Sequence, residues 1–251
     1  MIFKKKKKHS EGIGKIIVGE GVSLRYTEGY NRLRDNVLYM NADGQKKVIQ
    51  IESAVKGEGK TTVICNLAVT LGLTDKKVVV VDLDFHRPRV HRLFKMDKDV
   101  GIAEYILNGE KLIIKKTTYK NVDIITRGAE IYNSSLVFVS EKFKQLIAKL
   151  REEYDYVLLD CAPVLQISDY MHISEVSDGV LFMVAYAQTT KAQVVEAINQ
   201  LKKNGTNILG TVFTMYDKKK DKNYDNSNYY YYSYIYGDDK IDLKKRGDEE
   251  Q

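Results

Sequence analysis

At 251 residues, 43% of them hydrophobic and 29% charged, the chain is long enough for one large domain with its own core. It contains no run approaching the roughly 20 consecutive apolar residues of a membrane-spanning helix. The net charge of +6 sits mostly in Lys4 to Lys8, leaving +2 on His9 to Met215 and −1 on Tyr216 to Gln251, which argues against a nucleic-acid-coating surface. The two cysteines, Cys65 and Cys161, fall in segments expected to be core; they suit a reducing cytoplasm and show no metal-ligand spacing.

Met1 to about Tyr26 reads as an irregular basic leader. No apolar region follows its lysines, so it is not expected to be a secretory signal. The lysine run has two readings, contact with an anionic cytoplasmic leaflet at about 1 kcal/mol per residue or a solvated end. From Thr27 to Met40, Tyr30, Leu33, Val37 and Leu38 recur at helical spacing.

Val48 to Ser53 is β-branched and apolar enough for a buried strand, and Val63 to Val69 continues as a helix. Between them, Ala54-Val55-Lys56-Gly57-Glu58-Gly59-Lys60-Thr61 fits the phosphate-binding template G-x-x-x-x-G-K-[ST], with Ala54 in the first glycine position. Small residues let the backbone curl so that successive N–H groups, Thr62 included, face phosphate at a helix N-terminus. Lys60 is expected to reach the β- and γ-phosphates of ATP, and the Thr61 hydroxyl to bind Mg²⁺.

Lys77 to Asp82 predicts a second buried strand, ending in Asp82-Leu83-Asp84 before the turn at Pro88. Gly101 to Leu107 predicts a short helix closed by Asn108-Gly109, Val122 to Thr126 a strand, and Leu136 to Glu153 a helix. Tyr156 to Asp160 is a further apolar strand with an acidic end. Ser168-Asp169 is a candidate helix cap, Gly179 to Ala185 a strand, Lys191 to Lys203 a helix, and Asn207 to Thr214 the last strand. Alternation at this spacing predicts an α/β fold, a doubly wound, mostly parallel sheet that binds ligands at the carboxyl ends of its strands. The expected domain is 27–215, with 216–251 a disordered tail in which Tyr224, Tyr229, Tyr230, Tyr231, Tyr232, Tyr234 and Tyr236 lie among Asn, Ser and Asp.

Carboxylates at strand ends beside a phosphate loop have a use, because Mg²⁺ takes oxygen ligands and keeps several waters. Asp160 is a candidate for that ion. Of Asp82 and Asp84, one would attend the metal and the other accept a proton from a nucleophile. His86 and His91, near Arg87, Arg89 and Arg92, form a basic turn that would touch phosphate, touch carboxylates or be solvated.

Ala54 to Thr61, Val78 to Asp84 and Val157 to Pro163 resemble the Walker A, A′ and B motifs of the bacterial tyrosine kinases, cytoplasmic P-loop kinases of capsule and exopolysaccharide synthesis. The tyrosine-rich tail is similar to the autophosphorylated cluster of that family, and Glu28 to Val37 to its oligomerisation helix. The three Walker elements are shared with partitioning and cell-division ATPases; their combination with the tyrosine cluster is the specific part.

The resemblance implies an ATP-dependent tyrosine autokinase with Asp82 as the base and Asp84 and Asp160 serving the metal. It also implies a homo-oligomer, a membrane-bound polysaccharide co-polymerase whose cytoplasmic tail activates it, a tyrosine phosphatase as a further partner, and a place at the inner face of the cell membrane. The departures are His86 for an arginine, Cys161-Ala162-Pro163 for Thr-Pro-Pro, and Ile131 to Ser135 for a Pro-rich segment. Asn31 and Ala185 stand where arginine is usual, and Thr214 where an adenine-contacting asparagine is. The alternatives are a partitioning-type positioning ATPase, against which the missing second loop lysine counts, and a divergent ATP-binding scaffold.

Overall fold

In the computed structural model of the chain, residues 14–19, 24–98 and 100–216 are described, residues 24–26 by backbone alone. The lysine run and the tail tyrosines from Tyr224 to Tyr236 lie outside them. The elements, in chain order, are α1 (Leu24–Met40), β1 (Val48–Ser53), α2 (Lys60–Gly72), β2 (Val78–Asp82), α3 (Val90–Leu93), a π-helical turn Glu104–Asn108, β3 (Lys115–Lys116), β4 (Val122–Ile125), α4 (Ser135–Phe138), α5 (Glu141–Glu153), β5 (Tyr156–Asp160), α6 (Tyr170–Ser174), β6 (Gly179–Ala185), α7 (Lys191–Lys203) and β7 (Ile208–Thr214).

The seven strands run in the order β3-β4-β2-β5-β1-β6-β7, all parallel except the two-residue edge strand β3. That edge strand carries no period-2 signal of its own and was not expected. Every residue of β1, β2, β4, β5 and β6 is buried, because helices cover both faces of the sheet. On one face α2 contributes Ile64, Leu67, Ala68 and Leu71 against Ile49, Ile51, Val80 and Leu158. On the other, Phe143, Leu146, Ile147 and Leu150 of α5 meet Val79, Val81, Val157 and Leu159, while Ala197 and Leu201 of α7 cover Val180 and Phe182. Alternate residues of one strand thus feed opposite cores.

The expected apolar stripe of α1 packs on this body. Val37 is buried, and Tyr30, Leu33 and Leu38 lie half-buried against the α2 side. Its polar face is occupied within the chain: Arg32 donates to Glu28 at 2.9 Å, and Arg34 donates to Asp35 at 2.8 Å and to Asn31 at 3.4 Å.

Two sequence expectations are corrected. The single helix expected over Leu136 to Glu153 is broken at Ser140, which takes an extended backbone and accepts the Phe143 N–H as the N-cap of α5. Asp169 stands at the start of α6 but makes no side-chain cap; its carboxylate accepts from the buried Ser134 hydroxyl at 2.6 Å. Of the expected leader, residues 14–19 are described without helix or strand, and Leu24 to Tyr26 already belong to α1; residues 14–18 are fastened to α2. Ile17 N–H donates to Asn66 Oδ1 at 2.8 Å, Asn66 Nδ2 donates to the Lys15 carbonyl at 3.0 Å, and Val18 enters the core.

Close approach at the end of α2 makes one glycine indispensable. A Cβ on Gly72 would lie 2.4 Å from the Lys120 carbonyl oxygen, a backbone atom that cannot step aside. Gly72→Ala, a change that stabilises most helices, is therefore expected to lower unfolding free energy by about 1–3 kcal/mol in urea titrations. A neutral or stabilising result would show that the β3–β4 turn yields freely.

Candidate functional site

The three central strands β2, β5 and β1 deliver their carboxyl ends to one edge. Register places Asp82 beside Asp160 and Asp160 beside Ile51, three residues before the phosphate loop opens at Ala54. The loop turns through Gly57 at φ 85° and Gly59 at φ 87°, left-handed values that glycine adopts without strain. Beyond Gly59 the helix begins at Lys60, and the Gly59 carbonyl accepts the Val63 N–H at 2.9 Å.

Lys60 is buried and donates to Ser53 Oγ at 3.0 Å; that hydroxyl donates onward to the Val55 carbonyl at 2.9 Å. Thr61 Oγ1 donates to Asp160 Oδ2 at 2.7 Å. The loop lysine, the loop threonine and the β5 aspartate thus converge, as their spacing predicts. Thr62 faces elsewhere, since a Cβ on Gly14 would overlap its hydroxyl.

Glu58, an unremarkable loop position in the sequence, has its side chain turned inward and fully buried. Oε2 accepts the Val55 N–H at 2.7 Å, while Oε1 accepts the Ala185 N–H at 3.1 Å and the Thr189 hydroxyl. Its own carbonyl accepts the Thr214 hydroxyl at 2.7 Å. Glu58 therefore offers a ligand its backbone rather than its carboxylate, and it ties the loop to the ends of β6 and β7. The sequence shows it only as a charged residue between two glycines.

Asp82 is fully buried. Oδ2 accepts the Val90 N–H at 3.1 Å, and Oδ1 has no hydrogen-bond partner. Asp160, also buried, likewise leaves Oδ1 without one. Asp84 is half-exposed, and its Oδ1 accepts the N–H groups of His86 at 3.1 Å and Arg87 at 2.9 Å, folding the basic turn back on itself. Burial raises the pKa values of Asp82 and Asp160 well above the carboxylate range. The charge of Asp160 pushes Asp82 further up, while the Thr61 hydroxyl and Lys60 pull Asp160 partly back.

Two adjoining carboxylates with orphaned oxygens, beside a threonine hydroxyl, suit a hard divalent cation such as Mg²⁺. Among the described residues no three His, Cys, Asp or Glu side chains gather into a cage. The ion would accordingly be completed by Thr61, water and phosphate oxygens.

A second buried carboxylate escaped the sequence reading. Glu52, on the face of β1 opposite the phosphate-loop helix, accepts from Gln50 Nε2 at 2.7 Å, and Gln50 Oε1 in turn accepts from Ser174 at 3.1 Å and Ser177 at 3.2 Å. Burial pushes the Glu52 carboxyl up to about 8, opposed by the Gln50 hydrogen bond and Lys60. Alternating polar residues in an otherwise apolar strand, Gln50 and Glu52, are the signal that locates it.

A profile of the AAA domain matches residues 46–210. Tyrosine-protein kinase YwqD of Bacillus subtilis (strain 168) is 31% identical over 208 residues, 82% of this chain and 86% of the relative. Among solved structures, the kinase domain of the Escherichia coli tyrosine kinase ETK is similar with a TM-score of 0.75 at 26% identity, over 79% of each chain. The septum site-determining protein MinD from Pyrococcus horikoshii OT3, complexed with Mg-ADP, is more distant, with a TM-score of 0.60 at 27% identity over 70% of this chain and 73% of that one.

The sign of the pH dependence follows from the raised carboxyl of Glu52. Between the unfolded value of 4.5 and the folded value of about 8, the folded state holds a proton that the unfolded state has released, so stability falls as pH rises. Each such group contributes a slope of at most about 1.4 kcal/mol per pH unit. Urea unfolding from pH 5 to 8 is expected to show a decline that Glu52→Gln makes shallower, with Asp82 and Asp160 supplying the remainder. An unchanged slope in the Gln variant would remove Glu52 from the account.

Proposed function

The chain belongs to the bacterial tyrosine-protein kinases of the AAA-domain class, and from that premise we propose that it transfers the γ-phosphoryl group of ATP to tyrosines of its own carboxyl-terminal cluster. The observation that carries this reading is the convergence of Lys60, Thr61, Asp82 and Asp160 at one sheet edge, in a chain whose last 36 residues hold the tyrosine cluster.

In this reading the loop amides and Lys60 hold the triphosphate, and Thr61 and Asp160, with Asp84, hold Mg²⁺, which when bound supplies charge neutralisation at the phosphates. The entering phenol, with a pKa near 10, arrives protonated. Asp82 would orient that hydroxyl and take its proton. The phenol oxygen forms the new P–O bond, ADP leaves with the electrons of the broken one, and the proton goes to Asp82. Positioning and electrostatics carry the step.

Family membership also supports the finer reading: a role in capsule or exopolysaccharide synthesis, an oligomer formed through α1, and a membrane activator whose cytoplasmic segment completes the site. Repulsion among phosphorylated tails, each modified tyrosine adding about −1.5 to −2 charges, would then loosen the oligomer. No helix among the described residues is long and apolar enough to cross a membrane; the proposed place at the inner membrane face would be reached through that partner.

The testing experiment is phosphotyrosine mapping by mass spectrometry after incubation with Mg²⁺ and ATP, with the activator's cytoplasmic segment supplied. Label is expected on Tyr224 to Tyr236 in the wild type and at least about a hundredfold less in Lys60→Met. Equal labelling of the two proteins would reject the assignment. Lipid-stimulated ATP hydrolysis with no phosphotyrosine would instead favour the positioning-ATPase reading that the MinD likeness represents.

A further inference from the structure

Beside the catalytic edge, the turn that follows Asp84 opens into a groove of about 690 Å³. Its walls carry five cationic side chains, Arg87, Arg89, Arg92, Lys98 and Arg127, against two carboxylates, Asp97 and Glu130. Arg127 is buried and held in place, its Nη1 donating to the Phe85 carbonyl at 2.7 Å. His91 enters the same groove with a buried Nδ1 that has no hydrogen-bond partner. Its pKa is lowered by burial first and then by the surrounding charges of Arg92, Lys98, Lys115 and Arg127, a sign of the positive potential there. Nothing in the phosphate-loop chemistry uses this concavity, although Asp84 anchors its first wall.

We propose that this groove is a docking site for phosphotyrosine, and that its occupant is the segment Tyr224–Tyr236 of this chain after phosphorylation. The proposal rests on the kinase reading for the supply of phosphotyrosine. Charge complementarity selects the occupant: unmodified, the segment carries a single ionised side chain at neutral pH, Asp225. Three phosphotyrosines add roughly −4.5 to −6, with three acceptor oxygens on each phosphate for the arginine forks. Reach permits it, since the eight residues from Tyr216 to Tyr224 extend about 26–29 Å and the twenty to Tyr236 about 66–72 Å. Concavity favours a peptide over a flat lipid surface. A modified tyrosine seated among the arginines that follow Asp84 keeps its unmodified neighbours near the transfer site, so the reaction runs along the cluster without release between steps.

The test needs no turnover. The full chain with its seven tail tyrosines changed to phenylalanine is titrated, without ATP, against a synthetic peptide of residues 222–238 bearing phosphate on Tyr229, Tyr231 and Tyr234, and against the same peptide unmodified. Fluorescence anisotropy is expected to show the phosphopeptide binding at least tenfold tighter. Arg92→Ser with Lys98→Ser should abolish that preference, and Arg92→Lys with Lys98→Arg should keep it, both at unchanged melting temperature and Mg²⁺-ATP affinity. Equal affinity for the two peptides, or a preference that survives the double serine variant, overturns the proposal. So does capture by phosphatidylserine vesicles, rather than by the phosphopeptide, that depends on Arg92 and Lys98. Because the phosphate is supplied chemically, failure here is distinct from failure of the kinase reading, which shows as missing phosphotyrosine in the ATP reaction.

Discussion

Two carboxylates held side by side out of water are the constraint on which the rest of this molecule turns. Asp82 and Asp160 are register partners at the ends of adjacent central strands, both buried and each with one oxygen lacking any donor. Such an arrangement destabilises the folded chain unless protons or a cation relieve it. The cost is borne by the apolar body beneath, where both faces of β2 and β5 are sealed by helices. The pair is an unstable place in a stable frame, and a magnesium-bound triphosphate is a partner that suits it.

The frame does more than hold strands. The phosphate loop is pinned from inside by Glu58, whose carboxylate closes the loop on Val55 and at the same time holds the end of β6, while its carbonyl takes the hydroxyl of the last residue of β7. Loop amides meant for a ligand are thereby organised before it arrives, which lowers the cost of ordering them on binding. The Thr214 hydroxyl is engaged in this fastening. Ala185 and Thr214 thus both serve to anchor the loop through Glu58.

The basic turn after β2 belongs to the same edge. Asp84 accepts two backbone N–H groups of that turn, so a carboxylate two residues from Asp82 also sets the shape of the cationic groove. A single short segment thus joins the transfer site to a positive surface. In the proposed docking mode, a phosphorylated product and an unmodified acceptor would be told apart by charge, without a second domain.

Sequence alone determined the parallel core and its chemistry. Near-continuous apolar runs at Val78 to Asp82, Tyr156 to Asp160 and Gly179 to Ala185 have one way to hide both faces, and Gly-x-Gly-Lys-Thr leaves the backbone little choice. Tertiary structure decided what depends on partners distant in the chain. Ser140 breaks a helix that Leu136 to Glu153 would otherwise continue, and Asp169 turns to Ser134 instead of capping. Glu58 and Glu52 become buried anchors because donors more than 100 residues away in the chain, at Ala185 and Ser174, come to meet them or their hydrogen-bonded neighbour Gln50. Periodicity and local motifs record what a residue does with its near neighbours. Burial of a charge is settled only when the whole chain has closed around it.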